Sequence, residues 1–262
     1  QESVIDVAAT TIDDNFRNCS YIFLCAPVAF NVAYLKQLTE YLNDACILTD
    51  VGSVKTNIHK EVIKLGIEKY FIGGHPMAGS EKSGYANSKA MILENAYFVL
   101  TPSKEVSQEK IDKYEQLVST IHALPIILDY KEHDYITGTI SHLPHIIAAS
   151  LVNLIRETDD ENETMKTIAA GGFKDITRIA SSSPVMWQHI CASNREQILT
   201  LIDRYTEELN TMRSLIAERK EKEIYDFFSH AKDYRDSITI TSSGPLRKVF
   251  ECYCDLIDEA GG

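Results

Sequence analysis

The chain has 262 residues, 44% of them hydrophobic, enough for one large domain or two ordinary ones. Its formal net charge of −12 excludes a surface built for nucleic acid or for anionic membranes, and obliges a small acidic ligand to find a local basic group. The cysteines Cys19, Cys25, Cys46, Cys191, Cys252 and Cys254 are scattered, as in a cytoplasmic protein whose thiols stay reduced in the core, and the lone Cys252-x-Cys254 pair has no second cluster to complete a zinc site.

The predicted elements alternate through the first half. Residues 13–18 read as a short helix. Tyr21-Ile22-Phe23-Leu24-Cys25-Ala26 is an unbroken apolar run ending at Pro27, the pattern of a parallel strand buried on both faces. Val32, Leu35, Leu38 and Leu42 recur at helical spacing. Ile47 to Val51 is a second strand ending at Gly52, after which Ser53 is placed to cap a helix carrying Ile58, Val62, Ile63 and Leu65. Tyr70-Phe71-Ile72 is a third strand that runs into a glycine-rich loop. Tyr97 to Leu100 is a fourth strand, a helix with Ile111, Tyr114, Leu117, Val118 and Ile121 follows, and Pro125 to Leu128 is a fifth. This alternation predicts an α/β domain with a mostly parallel sheet.

After about Asp129 the pattern turns wholly helical. A long helix is expected over 134–156, kinked near Pro144, with a break at Ala169 to Asp175. Ser193-Asn194-Arg195-Glu196 reads as a capping box that opens a helix. That helix carries Ile198, Ile202, Tyr205, Leu209, Met212 and Ile216 in one stripe, suited to packing or to a dimer surface. A short last helix holds Ile224, Phe227 and Phe228. The longest apolar stretch, Ile140 to Ile155, is interrupted by His142, His145 and Asn153 and reads as too short and too polar for a membrane span.

Candidate chemistry gathers at the carboxyl ends of successive strands, where open α/β sheets bind ligands. Those ends carry Cys25-Ala26-Pro27, Asp50-Val51-Gly52-Ser53 and Gly73-Gly74-His75-Pro76. His75 sits in a rigid small-residue segment, and an imidazole titrating near neutrality suits proton transfer. His142 and His145 lie three residues apart. With His75 they suggest a metal only weakly, since no carboxylate stands at ligand spacing, and no metal is assigned. Arg178, on an acidic protein, is a candidate for gripping a carboxylate through its planar fork.

Several stretches together resemble the prephenate dehydrogenase family, including its arogenate-using relatives. They are Asp50-Val51-Gly52-Ser53-Val54-Lys55, the run Gly73 to Gly84, Ser141-His142-Leu143-Pro144-His145, the run Gly171 to Arg178, and Pro184-Val185-Met186-Trp187. The resemblance implies an incomplete dinucleotide-binding, Rossmann-like α/β domain over 1–129, an all-α dimerisation domain over 130–236, and a tail over 237–262 that resembles the start of an amino-acid-sensing ACT domain. It implies oxidative decarboxylation of prephenate to 4-hydroxyphenylpyruvate with NAD or NADP, in tyrosine biosynthesis. A homodimer, a cytoplasmic location and tyrosine as feedback inhibitor go with it. By resemblance His75 takes the proton of the substrate 4-hydroxyl, Ser53 orients His75, and Arg178 binds a substrate carboxylate. His145 and Ser141 line the pocket, and Ser80, Glu81, Lys174, Asp175 and Trp187 shape or gate it.

The sequence departs from the family pattern in having no G-x-G-x-x-G. A βαβ unit needs ~30 residues and none precedes residue 1, so the expectation is a chain without its first strand-helix-strand unit, leaving the apolar surface of Tyr21 to Cys25 open. The cofactor contacts carried over are Ala26 and Pro27 near the dinucleotide and Asp50, Val51 and Gly52 near the nicotinamide. Arogenate as substrate, or an inactive fragment that keeps only the helical dimer, remain as alternatives.

Overall fold

The computed structural model describes residues 5–79, 84 and 87–241. Strands β1 (Tyr21–Leu24) and β2 (Ile47–Asp50) pair in parallel, with Tyr21 opposite Ile47 and Leu24 opposite Asp50. A parallel bridge between Leu48 and Phe71 carries the layer on to β3 (Ile72–Pro76). The next pairing is antiparallel: β3 runs against β4 (Tyr97–Pro102), and β4 pairs in parallel with β5 (Leu124–Ile127). Three of these four pairings are parallel, as expected, and the single antiparallel pairing of β3 with β4 makes the sheet mixed.

Helices α1 (Val28–Leu38), α2 (Thr56–Lys64) and α3 (Gln108–Thr120) connect the strands. One core joins Ile22, Leu24, Leu35, Leu38, Leu48, Ile58, Val62 and Phe71; a second joins Ile47, Ile72, Leu100, Tyr114 and Val118. Among the described residues β1 pairs only with β2. The expected open surface is confined to one side of it, since Phe23 is 43% exposed while Ile22 and Leu24 are buried. Cys46 is a core thiol as expected, but Cys25 is exposed because the strand ends before it.

The third strand extends further than its apolar run. Gly73, Gly74, His75 and Pro76 all pair with β4, His75 opposite Val99. Close packing explains the two glycines. A Cβ on Gly74 would lie 2.7 Å from the Asp50 carbonyl oxygen and 2.9 Å from both Phe98 and the Tyr114 hydroxyl, and one on Gly73 would collide with Thr101. His75 thus stands on a strand and not on a loop.

Helix α4 (Tyr130–Thr137), a π-helical turn (Gly138–His142) and α5 (Leu143–Thr158) form one continuous rod. The π turn takes the place of the expected kink: Pro144 has no N–H to give and its ring would crowd the preceding turn, so the rod widens just before it. This rod of 29 residues is longer than the apolar stretch suggested, and by length and composition alone it could cross a membrane. Its polar groups argue otherwise, for His133, Asp134, Thr137 and His142 are buried within the protein. Short helices α6 (Thr164–Ile168) and α7 (Gly171–Thr177) follow, so Gly171 and Gly172 open a helix instead of only breaking one. Helix α8 (Pro184–Ser193) leads into α9 (Arg195–Ala217). No capping box forms there, because Asn194 turns inward to bond Asp134 and His142. Helix α10 (Glu221–Thr241) is a full 21 residues rather than a short segment.

By internal contacts the chain divides into two compact units, 1–204 and 205–262. Every strand and the whole candidate site lie in the first. The second comprises, as far as described, the end of α9 and α10. The tail beyond Thr241, with its ACT-like motif, lies outside the described residues, as do Ser80 and Glu81.

Candidate active site

His75 anchors the site. Its Nδ1 lies 2.8 Å from Nε2 of His133, and Nδ1 of His133 lies 2.8 Å from Oδ1 of Asp134. Both His133 and Asp134 are fully buried. The Asp134 carboxylate also accepts the Lys55 backbone N–H at 2.8 Å on Oδ1 and the Thr56 backbone N–H at 2.8 Å on Oδ2. It thereby caps α2 from a distant part of the chain, the task expected of Ser53; such a cap is worth about 1 kcal/mol. Burial pushes the Asp134 carboxyl up, but the bonds from His133, Thr56 and Lys55 outweigh it and leave the group below the usual carboxylate value. Burial, then the neighbouring His133 and Lys55, hold His75 well below its ordinary value, so the ring is a neutral base at neutral pH. Its Nε2 has no partner among the described residues.

The expected bond between Ser53 and His75 is not formed. Ser53 is partly exposed just past β2, and the partner of His75 among the described residues is His133, bonded at Nδ1. What ties β2 to β3 instead is Lys55. Its fully buried ammonium donates to Asp50 Oδ2 at 2.5 Å and to the carbonyl of Gly74, next to His75, at 2.6 Å. Burial lowers the Lys55 pKa, with Asp50 opposing that shift. Asp50 Oδ2 accepts the Gly52 N–H at 2.9 Å as well, which fixes the turn after β2. Beside it, Asn31 fixes the turn after β1, accepting from Ala26 N at 3.1 Å and donating to the Leu24 carbonyl at 3.3 Å. The partly exposed segments Ala26-Pro27 and Val51-Gly52-Ser53 thus stand at adjacent parallel strand ends, where a flat ring can lie.

A second group forms on the helical side. Ser141 lies in the π turn, and its carbonyl is 2.9 Å from His145 Nδ1. His145 stacks on Trp187 with ring centroids 3.9 Å apart, and His142 meets the same indole edge-on at 6.0 Å. His145 and Trp187 border a cavity of about 530 Å³ that Ile179, Ala180 and Ser182 also line. Trp187 Nε1 is buried with no protein acceptor among the described residues, a donor left for something brought from outside. Burial holds His142 down to about 4, and the Asn194 amide, 3.1 Å from its Nδ1, occupies that nitrogen.

Other expected residues are not gathered as closely. Arg178 is exposed in a 3-10 turn (Arg178–Ser181) directly before cavity-lining Ile179 and Ala180. Asp175 is exposed on α7, and Lys174 lines a different cavity of about 580 Å³ with Arg156, Asp159 and Lys166. Lys55, His133 and Asp134 were missed. No local pattern marked them, since Lys55 and Asp134 both lie in polar stretches of the sequence.

The sequence matches the family description "Prephenate dehydrogenase, nucleotide-binding domain" over residues 2–126 and "Prephenate dehydrogenase, dimerization domain" over 129–233. It is 34% identical over 260 residues to the prephenate dehydrogenase of Bacillus subtilis (strain 168), covering 98% of this chain and 70% of that one. The chain belongs to the prephenate dehydrogenase family. The prephenate dehydrogenase of Lactococcus lactis subsp. cremoris (strain MG1363) is 39% identical over 248 residues, covering 94% of this chain and 68% of its own. Among solved structures, prephenate dehydrogenase from A. aeolicus in complex with hydroxyphenyl propionate and NAD+ superposes with a TM-score of 0.78 at 31% identity, covering 84% of this chain and 76% of that one. As expected of this family, a Rossmann-like nucleotide-binding domain is followed by a helical dimerisation domain.

Proposed function

We propose that this protein oxidatively decarboxylates prephenate to 4-hydroxyphenylpyruvate, with NAD as hydride acceptor, in tyrosine biosynthesis. The observation that carries this reading is His75: a neutral ring at the cofactor end of the sheet, held from behind at Nδ1 and open at Nε2. Nε2 accepts the proton of the substrate hydroxyl. Losing that proton raises electron density on the carbon that bears the oxygen and weakens its C–H bond. The nicotinamide, when bound, supplies the hydride acceptor. The ring carboxylate departs as CO₂, and the electrons of the broken C–C bond complete the aromatic ring.

Ala26, Pro27, Asp50, Val51 and Gly52 would hold the nicotinamide end, with Ser53 beside the reacting hydroxyl. On the helical side Arg178 binds a substrate carboxylate, and the free Trp187 N–H is a second donor for it. His145 and Ser141 line the pocket, and Ser80, Glu81 and Asp175 shape or gate it, with Lys174 bordering the separate cavity. The chain acts as a cytoplasmic homodimer, divided near residue 129 into its nucleotide-binding and helical parts, and tyrosine inhibits it as the pathway's end product. Steady-state kinetics of the intact protein test the reading, with prephenate or arogenate, NAD or NADP, and added tyrosine. Prephenate-dependent NAD reduction with CO₂ release is expected. Activity on arogenate alone would transfer the assignment to that substrate, and no reduction with either would overturn it.

A further inference from the structure

We infer that His133 and Asp134 are positioning residues that fix the tautomer of His75, so that its proton-free nitrogen always faces the substrate. The argument starts at the buried end. Asp134 has both oxygens occupied as acceptors by the first backbone N–H groups of α2, so the carboxylate cannot turn. An ionised carboxylate only accepts, so the 2.8 Å contact to His133 must be a donation from His133 Nδ1–H. A neutral His133 then carries its lone pair on Nε2. The 2.8 Å contact to His75 must in turn be a donation from His75 Nδ1–H. That leaves the lone pair of His75 on Nε2. A doubly protonated His133 would instead donate from Nε2 and put the proton of His75 on its Nε2, the contrary outcome that the spectrum below reads.

Other groups face the pair from each packed element. From β2 and the turn before α2 come Asp50 and Lys55, which neutralise one another; from the π turn comes His142, whose Nδ1 is engaged by Asn194. The logic is that of a carboxylate holding an imidazole in one tautomer, lengthened by one ring. It also stabilises the imidazolium formed in the reaction, since the new charge on His75 remains bonded through His133 to Asp134. Nothing in this chain of bonds requires Ser53, which explains how His75 can be oriented without it.

The inference rests on the proposed role of His75, but its test does not depend on turnover. In ¹⁵N NMR of the histidine-labelled intact protein at neutral pH, His75 is expected to show a protonated Nδ1 and a pyridine-type Nε2. His133→Phe removes the acceptor and should mix the two tautomers while lowering kcat roughly 10–10³-fold with little change in KM. His133→Gln, whose carbonyl can accept from His75 while its amide donates to Asp134, should restore both the tautomer and most of kcat. A protonated Nε2 on His75 in the wild-type protein overturns the inference, as does a His133→Phe protein that keeps the wild-type tautomer. Should His133→Phe not fold, the wild-type spectrum decides alone. An intact protein with the expected tautomer that does not oxidise prephenate would count against the proposed function and leave the tautomer assignment standing.

Discussion

The sheet region and the helical region bury their side chains by opposite rules. Around the sheet, Leu35, Leu48, Phe71 and Leu100 have no exposed surface, and the charged groups that share this interior, Asp50, Lys55 and Asp134, are tied into bonds. On the helices, large apolar side chains stand in solvent: Ile140 on the π turn, Leu154 on α5, Leu209 and Ile216 on α9 and Phe228 on α10 are each more than half exposed. The first region closes its own core. The second presents apolar faces that one chain leaves uncovered, as a dimerisation domain does before its partner arrives. Chemistry that depends on fixed geometry is accordingly rooted in the sheet, and the helical region supplies buried partners and a pocket wall.

The comparison breaks most readily at His75. Replacing it with Asn should lower kcat by roughly 10²–10⁴-fold with a modest change in KM, read in a steady-state assay. A drop of less than tenfold would mean the sheet side does not hold the base. Next in size is Lys55→Met. It strands the buried Asp50 carboxylate and should cost about 3–5 kcal/mol in urea unfolding. A near-neutral result would show that the interior charge pair is not part of what closes the first region.

The expected elements are best met where burial alone decides structure. The apolar runs of β1 and β2 and the spacing of Leu35 and Leu38 were sufficient, because each points into a core without need of distant partners. His75 was misplaced because Gly-Gly-His-Pro has little intrinsic preference for a strand; the pairing with β4 overrides it. The cap of α2 was invisible for a different reason. Asp134 lies 79 residues from the Lys55 amide it accepts, and no local pattern reports so long a contact. His133 fell one residue before the expected start of its helix, so its role went unread. The π turn had one sign, Pro144, which marked the place of the distortion but not its kind.

Acid should sharpen the contrast in the buried histidines. His59 and His142 are held down to about 4, chiefly by burial, against an unfolded value of 6.5. Between those values the unfolded chain binds protons that the folded chain refuses. The stability these groups contribute is therefore full above pH 6.5 and lost as pH falls toward 4, on the order of 3 kcal/mol for each. Urea midpoints at pH 7 and pH 5 measure it, and a flat profile would contradict the neutral burial of both rings. The smallest effect on folding is expected on the helical face. Leu209→Glu should alter the stability of one chain by no more than about 0.5 kcal/mol while separating the dimer in light scattering at micromolar concentration. A wild-type monomer would remove the reason for the exposed stripe.

The central claim is that His75, at the closed end of this comparison, takes the substrate proton. The pH dependence of kcat/KM for wild type and His75→Asn tests it most directly. Wild-type activity should fall on the acid side as His75 protonates, with the limb below pH 6.5 because burial lowers that group. The His75→Asn protein should retain a low activity without that limb. An acid limb unchanged in His75→Asn would contradict the account and pass the role to another group, His145 or a water.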